Sequence, residues 1–326
     1  MNTFALALHG GAGTITRQLM SAENEKRYLQ ELENALETGR ALLAAGSSAL
    51  EAVEATVVYL ENCDLFNAGK GCVFTKQGIH EMDASIMNGA DLMAGAVSGL
   101  RNVKNPIKLA RYVMTHSDHV FLSYPGAEEF ARLHNLEFEP ESYFFNQLRY
   151  DQWQEIRDTD IYQLDHTEEI SEEIIKKHQD HPPHHHDKKF GTVGAVALDQ
   201  AGNVAAATST GGMTNKNFNR IGDTPIIGAG TYANNATCAV SCTGHGEFFM
   251  RAIVAYDVSC LMEYRGLSLQ EACKLVVNDK LVKFGGEGGL IAVDRQGNIA
   301  LPFNSEGMYR ASCLNNEPAF IAIYKD

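Results

Sequence analysis

The sequence predicts an α+β chain arranged as a layered αββα sandwich, two sheets packed together with helices outside. Three observations carry that prediction. Runs of small and β-branched residues over 192–198 and 204–210 suit sheets covered on both faces. Two hairpins, around Asp199-Gln200-Ala201-Gly202-Asn203 and Asp294-Arg295-Gln296-Gly297-Asn298, repeat one local turn, D-x-x-G-N. Helix patterns with start and stop signals occur in both halves.

Taken in order, residues 4–8 read as a buried strand entering a glycine-rich loop, His9-Gly10-Gly11-Ala12-Gly13. Such a loop lets main-chain amides approach a ligand or another segment closely. It lacks the Lys-Ser/Thr of a phosphate loop. A helix spans about 21–45, with Leu29, Leu32, Leu36 and Leu43 on one face and Gly46 as its stop. Ser48 and Glu51 form a capping box that starts a second helix to about 61. The glycine-rich turn over 66–71 follows. Segments 80–87 and 91–97 read as a hairpin near Asn88-Gly89. Asn105-Pro106 opens a helix to about 115. A short strand over 119–122 and a helix after Pro125-Gly126 come next. From about 150 to 190 the periodicity fades into Asp, Glu, Lys and His, which reads as a mobile linker with a helical start. Beyond it lie the strands 192–198, 204–210, 290–293 and 299–303, with helices over 247–265 and 268–283 between the two pairs.

The chain has 326 residues, 44% hydrophobic and 21% charged, enough for a sizeable core. Its net charge of −14 argues against nucleic acid as a partner, because phosphate binding needs a basic face. The seven cysteines show no CxxC pair, and their odd number fits reduced core thiols in the cytoplasm. No signal peptide and no bilayer-length apolar run is expected.

Chemistry concentrates after the linker. The Gly191-Thr192 bond lies at the border between a polar run and a strand. Read alone, it is a strand start after a loop. If the border were cut, the Thr192 hydroxyl would stand beside its own free α-amine, a base able to activate it. Thr208-Ser209-Thr210-Gly211-Gly212 ends the next strand, across a hairpin from Thr192, so Thr210 can approach it; a capping role for these hydroxyls is the alternative. In Asn219-Arg220-Ile221-Gly222-Asp223, Arg220 and Asp223 could complement the carboxylate and ammonium of a zwitterion, or form a salt-bridged loop. Ser241-Cys242-Thr243-Gly244-His245-Gly246-Glu247 leads into a helix, where main-chain N–H groups can face an anion or simply be capped. Spacing gives His245 no orienting partner. His181 and His184–His186 could bind a transition metal, which leaves a non-catalytic metal-binding protein as a reading from a different class.

These motifs, with HGGAG, FNAGKG, GTVGAVALD, ATSTGGMTNK and LPFNSEGMYR, resemble the plant-type L-asparaginase/isoaspartyl aminopeptidase family of N-terminal-nucleophile (Ntn) hydrolases. The resemblance covers the chain except roughly 151–190. It implies self-cleavage between Gly191 and Thr192. An α subunit of 1–191 and a β subunit of 192–326 would then form one structural domain, and two such pairs would assemble. It implies hydrolysis of β-aspartyl dipeptides and L-asparagine to L-aspartate through a threonine acyl-enzyme. Glycosylasparaginase-like cleavage and another Ntn protease are the related alternatives.

By the same resemblance Thr192 is the nucleophile, Thr210 its neighbour, and Thr243 and Gly244 the oxyanion hole. Arg220 and Asp223 fall on the substrate pair, Gly246 on a main-chain contact to the ammonium, and Asn67 on a pocket position. No cofactor is implied for the chemistry. A structural sodium ion is implied on the main-chain carbonyls of Leu60, Glu61, Cys63, Phe66, Ala68 and Lys70. Two positions depart from the pattern: Asn219 stands where a glycine is common, and His245 fills a variable slot.

Overall fold

A computed structural model describes residues 3–159 and 191–325. Eight strands form one sheet in the order β12-β11-β1-β5-β6-β2-β3-β4, and four form a second, β10-β9-β8-β7. In the first sheet, β1 (Ala5–Gly13), β5 (Val193–Leu198), β6 (Val204–Thr210) and β2 (Met82–Asn88) form the centre. Strands β3 (Ala94–Leu100) and β4 (Phe121–Ser123) complete one edge, and β11 (Gly307–Leu314) and β12 (Phe320–Tyr324) the other. The second sheet holds β7 (Thr231–Ala233), β8 (Cys238–Gly244), β9 (Gly288–Asp294) and β10 (Ile299–Ala300).

Strand alternation sorts the side chains into separate apolar layers. Leu6, Leu8, Ala195, Ala197, Ala205 and Ala207 pack with α1 (Ala22–Ala44), α2 (Ala49–Asn62) and α3 (Pro106–His116). The intervening residues Ala5, Ala7, Val196, Leu198, Val204 and Ala206 pack instead against Ala239, Ile291 and Val293 of the second sheet. The other faces of β8 and β9, with Val240, Cys242, Leu290 and Ala292, are covered by α7 (Gly246–Ala252), α8 (Val254–Arg265) and α9 (Leu269–Lys274). Each fully buried Leu, Val or Ile contributes about 1.5–3 kcal/mol by removal from water. Small residues recur in these strands enclosed on both faces: Gly194, Ala195 and Ala197 in β5, and Ala205, Ala206 and Ala207 in β6.

The expected helix starts are present. Ser21 caps α1 by accepting from Asn24 N–H, and Ser48 with Glu51 forms the predicted capping box of α2. The two D-x-x-G-N turns are alike in detail. Asp199 Oδ1 accepts from the N–H groups of Ala201 and Asn203, and Asp294 Oδ1 from those of Gln296 and Asn298.

Several expectations are corrected. His9–Gly13 is no loop: it continues β1 and pairs with β11 through a register shift between His9 and Gly11. The helix expected over 247–265 breaks at Ile253, whose φ of 49° is left-handed. The helix expected over 268–283 begins with a second capping box, then widens into a π-helical stretch at Leu275–Leu281 and ends in α10 (Val282–Phe284). The helical start expected near residue 150 is present as α6 (Gln147–Ile156), which follows α4 (Gly126–Leu133) and α5 (Glu141–Phe144). Trp153 stacks on Phe74, and the buried Arg149 donates from Nε to the Gly71 carbonyl. The expectations for 160–190, including the histidine run, lie outside the described residues. Among the described residues, no helix is long and apolar enough to cross a membrane.

Candidate active site

The site forms where three strand ends meet. Strands β5 and β6 are antiparallel with Val193 opposite Ser209, so the start of one lies beside the end of the other. This places Thr192 against Thr210, as their spacing across the hairpin predicts. Thr192 is buried, and its Oγ1 donates to Thr210 Oγ1 at 3.1 Å. Thr210 Oγ1 also accepts from Gly212 N–H at 3.0 Å, which fixes the threonine rotamer and the loop together. Asn67 braces that loop from the other side. Its Nδ2 donates to the Gly212 carbonyl at 2.7 Å, and its Oδ1 accepts from Val73 N–H at 3.1 Å.

The residue before Thr192 is equally constrained. A Cβ on Gly191 would stand 3.0 Å from Gly11 Cα and 3.1 Å from Thr243 Oγ1. A Cβ on Gly11, whose φ is +119°, would fall 2.5 Å from Gly191 N. Two glycines are therefore required for the β1 backbone to touch the Gly191-Thr192 segment. Thr243 lies at the end of β8, which packs across from β5 and β6. Its Oγ1 is buried and has no hydrogen-bond partner among the described residues. A buried hydroxyl left unpaired costs free energy. This one faces the bond singled out in the sequence.

The charged end lies one turn further along. A Cβ on Gly246 would meet Arg220 Nη2 and Asp223 Oδ1, each at 2.9 Å, so the predicted pair and this glycine do converge. Arg220 does not bind Asp223, however. It makes a two-pronged contact with Glu247, from Nε at 2.8 Å and Nη2 at 2.7 Å. Asp223 is buried, with Oδ2 unpartnered among the described residues. Burial pushes its carboxyl up to about 7, partly opposed by the Arg220 charge. Burial also raises Glu247, but hydrogen bonds from His245 and Arg220 and the charge of Arg220 outweigh it and hold that carboxyl well below the usual range. His245 thus has an orienting partner after all: Nε2 lies 3.2 Å from Glu247 Oε2. The Asn219 departure also has a physical reading. Its φ is 54°, a conformation glycine adopts freely and asparagine tolerates. Its Nδ2 donates to Glu81 Oε1 at 3.0 Å.

A profile of the asparaginase family matches residues 2–322. The chain belongs to the asparaginase family. An isoaspartyl peptidase of Escherichia coli (strain K12) is 50% identical over 326 residues, covering 100% of this chain and 98% of its own. An isoaspartyl peptidase/L-asparaginase of Xenopus laevis is 39% identical over 319 residues, covering 98% and 94%. A relative from Arabidopsis thaliana is 40% identical over 330 residues, covering 100% of both chains. Within this member of the asparaginase family, sequence reasoning missed His9 and Glu247. Glu247 closes the SCTGHGE motif, yet its partner Arg220 lies 27 residues earlier. His9 opens HGGAG, where the glycines alone drew notice.

Proposed function

We propose that this protein is a self-cleaving amidohydrolase that acts on β-aspartyl (isoaspartyl) dipeptides and L-asparagine and releases L-aspartate. The observation that carries the reading is the Thr192 hydroxyl. It is buried and bonded to Thr210, at a bond flanked by the Gly11 backbone and by Thr243 Oγ1, which has no hydrogen-bond partner among the described residues. Family membership, with full-length relatives named isoaspartyl peptidase, supports the substrate class.

Cleavage comes first. Thr192 Oγ attacks the Gly191 carbonyl carbon, the C–N bond breaks, and the amide nitrogen leaves as the amine of Thr192. Water then hydrolyses the Gly191 ester, giving an α subunit of 1–191 and a β subunit of 192–326. In hydrolysis the freed amine takes the Thr192 hydroxyl proton. Oγ attacks the side-chain carbonyl of the substrate. Thr243 Oγ1 and the Gly244 region stabilise the oxyanion, a contribution of about 2.7–4 kcal/mol per donor in comparable sites. The proton passes to the leaving amine or ammonia, and water releases aspartate from the ester. Arg220 takes the substrate α-carboxylate, while Asp223 and the main chain at Gly246 take the ammonium.

The same reading assigns the fold to the four-layer αββα sandwich of Ntn hydrolases, with two cleaved pairs associating. Seven free cysteines support a reducing, cytoplasmic setting. A structural sodium ion fits the loop after α2. Gly69 and Gly71 leave room where a Cβ would strike the carbonyl oxygens of Glu61 and Phe66. The carbonyls of Leu60, Glu61, Cys63, Phe66, Ala68 and Lys70 would hold the ion, which would fix the loop that carries Asn67.

Intact mass spectrometry combined with hydrolysis of a β-aspartyl dipeptide and of asparagine tests the proposal. Two fragments split at Gly191/Thr192 and aspartate release are expected. An uncut chain that hydrolyses either substrate at full rate would refute it.

A further inference from the structure

His9 lies at the centre of the inter-sheet layer, fully buried. Its Nδ1 is 2.9 Å from the Thr192 carbonyl oxygen and its Nε2 is 2.9 Å from Ser241 Oγ. A carbonyl can only accept, so Nδ1 carries the proton and donates. Burial, partly opposed by that same hydrogen bond, pushes the imidazole down to about 3. The ring is therefore neutral, and Nε2 must accept from Ser241. The single His9 proton thus sets the direction of a longer chain. With its own proton committed to Nε2, Ser241 Oγ accepts from Thr208 Oγ1 at 2.7 Å. Thr208 in turn accepts from Thr231, and Ser85 Oγ lies 2.8 Å from Thr231 Oγ1.

These five side chains come from β1, β8, β6, β7 and β2, so the network ties both sheets to one carbonyl. It crosses a layer otherwise built from apolar residues such as Ala7, Val196, Leu198, Ile291 and Met308. Apolar residues would fill that space without the cost of desolvating five polar groups. The backbone is cut to fit it as well: a Cβ on Gly194 would overlap Ser241 Oγ and stand 2.6 Å from His9 Nε2.

We propose that His9 is a positioning residue that clamps the main-chain carbonyl of Thr192, holding the nucleophile in place once cleavage has removed its covalent neighbour. The inference rests on Thr192 being the nucleophile of the proposed function. Before cleavage the chain restrains Thr192 from both sides. Afterwards it is a chain terminus, and termini fray unless tied down. The Thr210 contact holds the hydroxyl. The His9 contact holds the opposite end of the same residue, which fixes the direction of Oγ, and displacement by about 1 Å can cost two orders of magnitude in rate.

The test compares three variants of the full chain by intact mass and by steady-state hydrolysis of a β-aspartyl dipeptide, with rates expressed per mole of cleaved chain. His9→Asn places an amide N–H near the position of Nδ1 and keeps the clamp. His9→Gln places its amide one bond further out, toward Ser241, and loses it. His9→Leu removes both contacts. All three are expected to cleave. His9→Leu and His9→Gln should lose about 30-fold or more in kcat with KM within about threefold, whereas His9→Asn should stay within about fivefold of the parent kcat. A purely structural role would not rank asparagine above glutamine. His9→Gln equal to or better than His9→Asn overturns the clamp, as does His9→Leu with parental kcat or a failure of His9→Leu to cleave. Thr192→Ala is measured alongside. Activity persisting there refutes the nucleophile itself, whereas activity lost there but kept in His9→Leu refutes only the clamp.

Discussion

The two ends of the site are built on different physical terms. At the threonine end, Thr192, Thr210 and His9 are buried and held to one another by hydrogen bonds between neighbouring segments. No formal charge is involved. At the other end, Arg220 and Glu247 form an ion pair beside the buried carboxyl of Asp223, so Arg220 is already engaged. A neutral network in a packed layer has one arrangement, which suits a nucleophile that must be aimed. The Arg220–Glu247 pair is only partly buried and can exchange partners, so under the proposed function an incoming carboxylate would share or displace Glu247. Under the proposed function the difference would separate rate from recognition, and it can be broken in either place.

The largest effect is expected at the neutral end. Thr192→Ala should leave a single uncut chain on intact mass analysis, with turnover reduced by about four orders of magnitude. Fragments in that variant would show that another residue cuts. Thr210→Val keeps the shape but removes the hydroxyl partner of Thr192. Its kcat should fall up to about 100-fold with KM little changed. If KM moved instead, the separation between the two ends would fail.

At the charged end the effect should appear in KM. Arg220→Ala removes a charge-assisted contact of about 1.5–3 kcal/mol, so KM for asparagine should rise roughly 10- to 100-fold, with kcat far less affected. A loss confined to kcat would place Arg220 with the threonines.

Asp223 gives the smallest and most diagnostic signal. Its folded carboxyl sits near 7, above the ordinary value near 3.9 of an unfolded chain. The folded state therefore binds the proton more tightly. Stability is greatest with the group protonated and falls as pH rises from about 4 to about 7. Asp223→Asn should melt a few degrees higher than the parent at pH 8, with the difference vanishing below about pH 4. The parent should also lose substrate affinity as pH is lowered through about 7, because the neutral acid no longer attracts an ammonium. A melting difference independent of pH would show that the Asp223 carboxyl keeps its ordinary value in the folded protein.

Much of this was legible in the chain. Local chemistry fixed the capped helices at Ser21, Ser48 and Ser268, the two D-x-x-G-N turns, and the closeness of Thr192 and Thr210, because a short hairpin leaves β5 and β6 few registers. Long-range pairing was not legible. His9–Gly13 was expected as a loop because glycines favour turns, yet β11, some 300 residues later, draws it into the sheet. Ile253 was expected inside a helix, since nothing in the pattern requires a β-branched residue at positive φ.

The sequence by itself determined which groups are available: a threonine at a polar-to-strand border, hydroxyls at a strand end, an arginine and an aspartate around a glycine, and a glycine-rich helix start. Their types and short spacings are local properties. Only the tertiary structure decided their partners. Arg220 turns to Glu247, Asp223 is buried, Thr243 faces Gly191, and His9 reaches Thr192 across 183 positions of sequence. The physical reason is that strand order in a sheet and the facing of two sheets are set by the summed burial of every strand. No stretch of a few residues carries that sum.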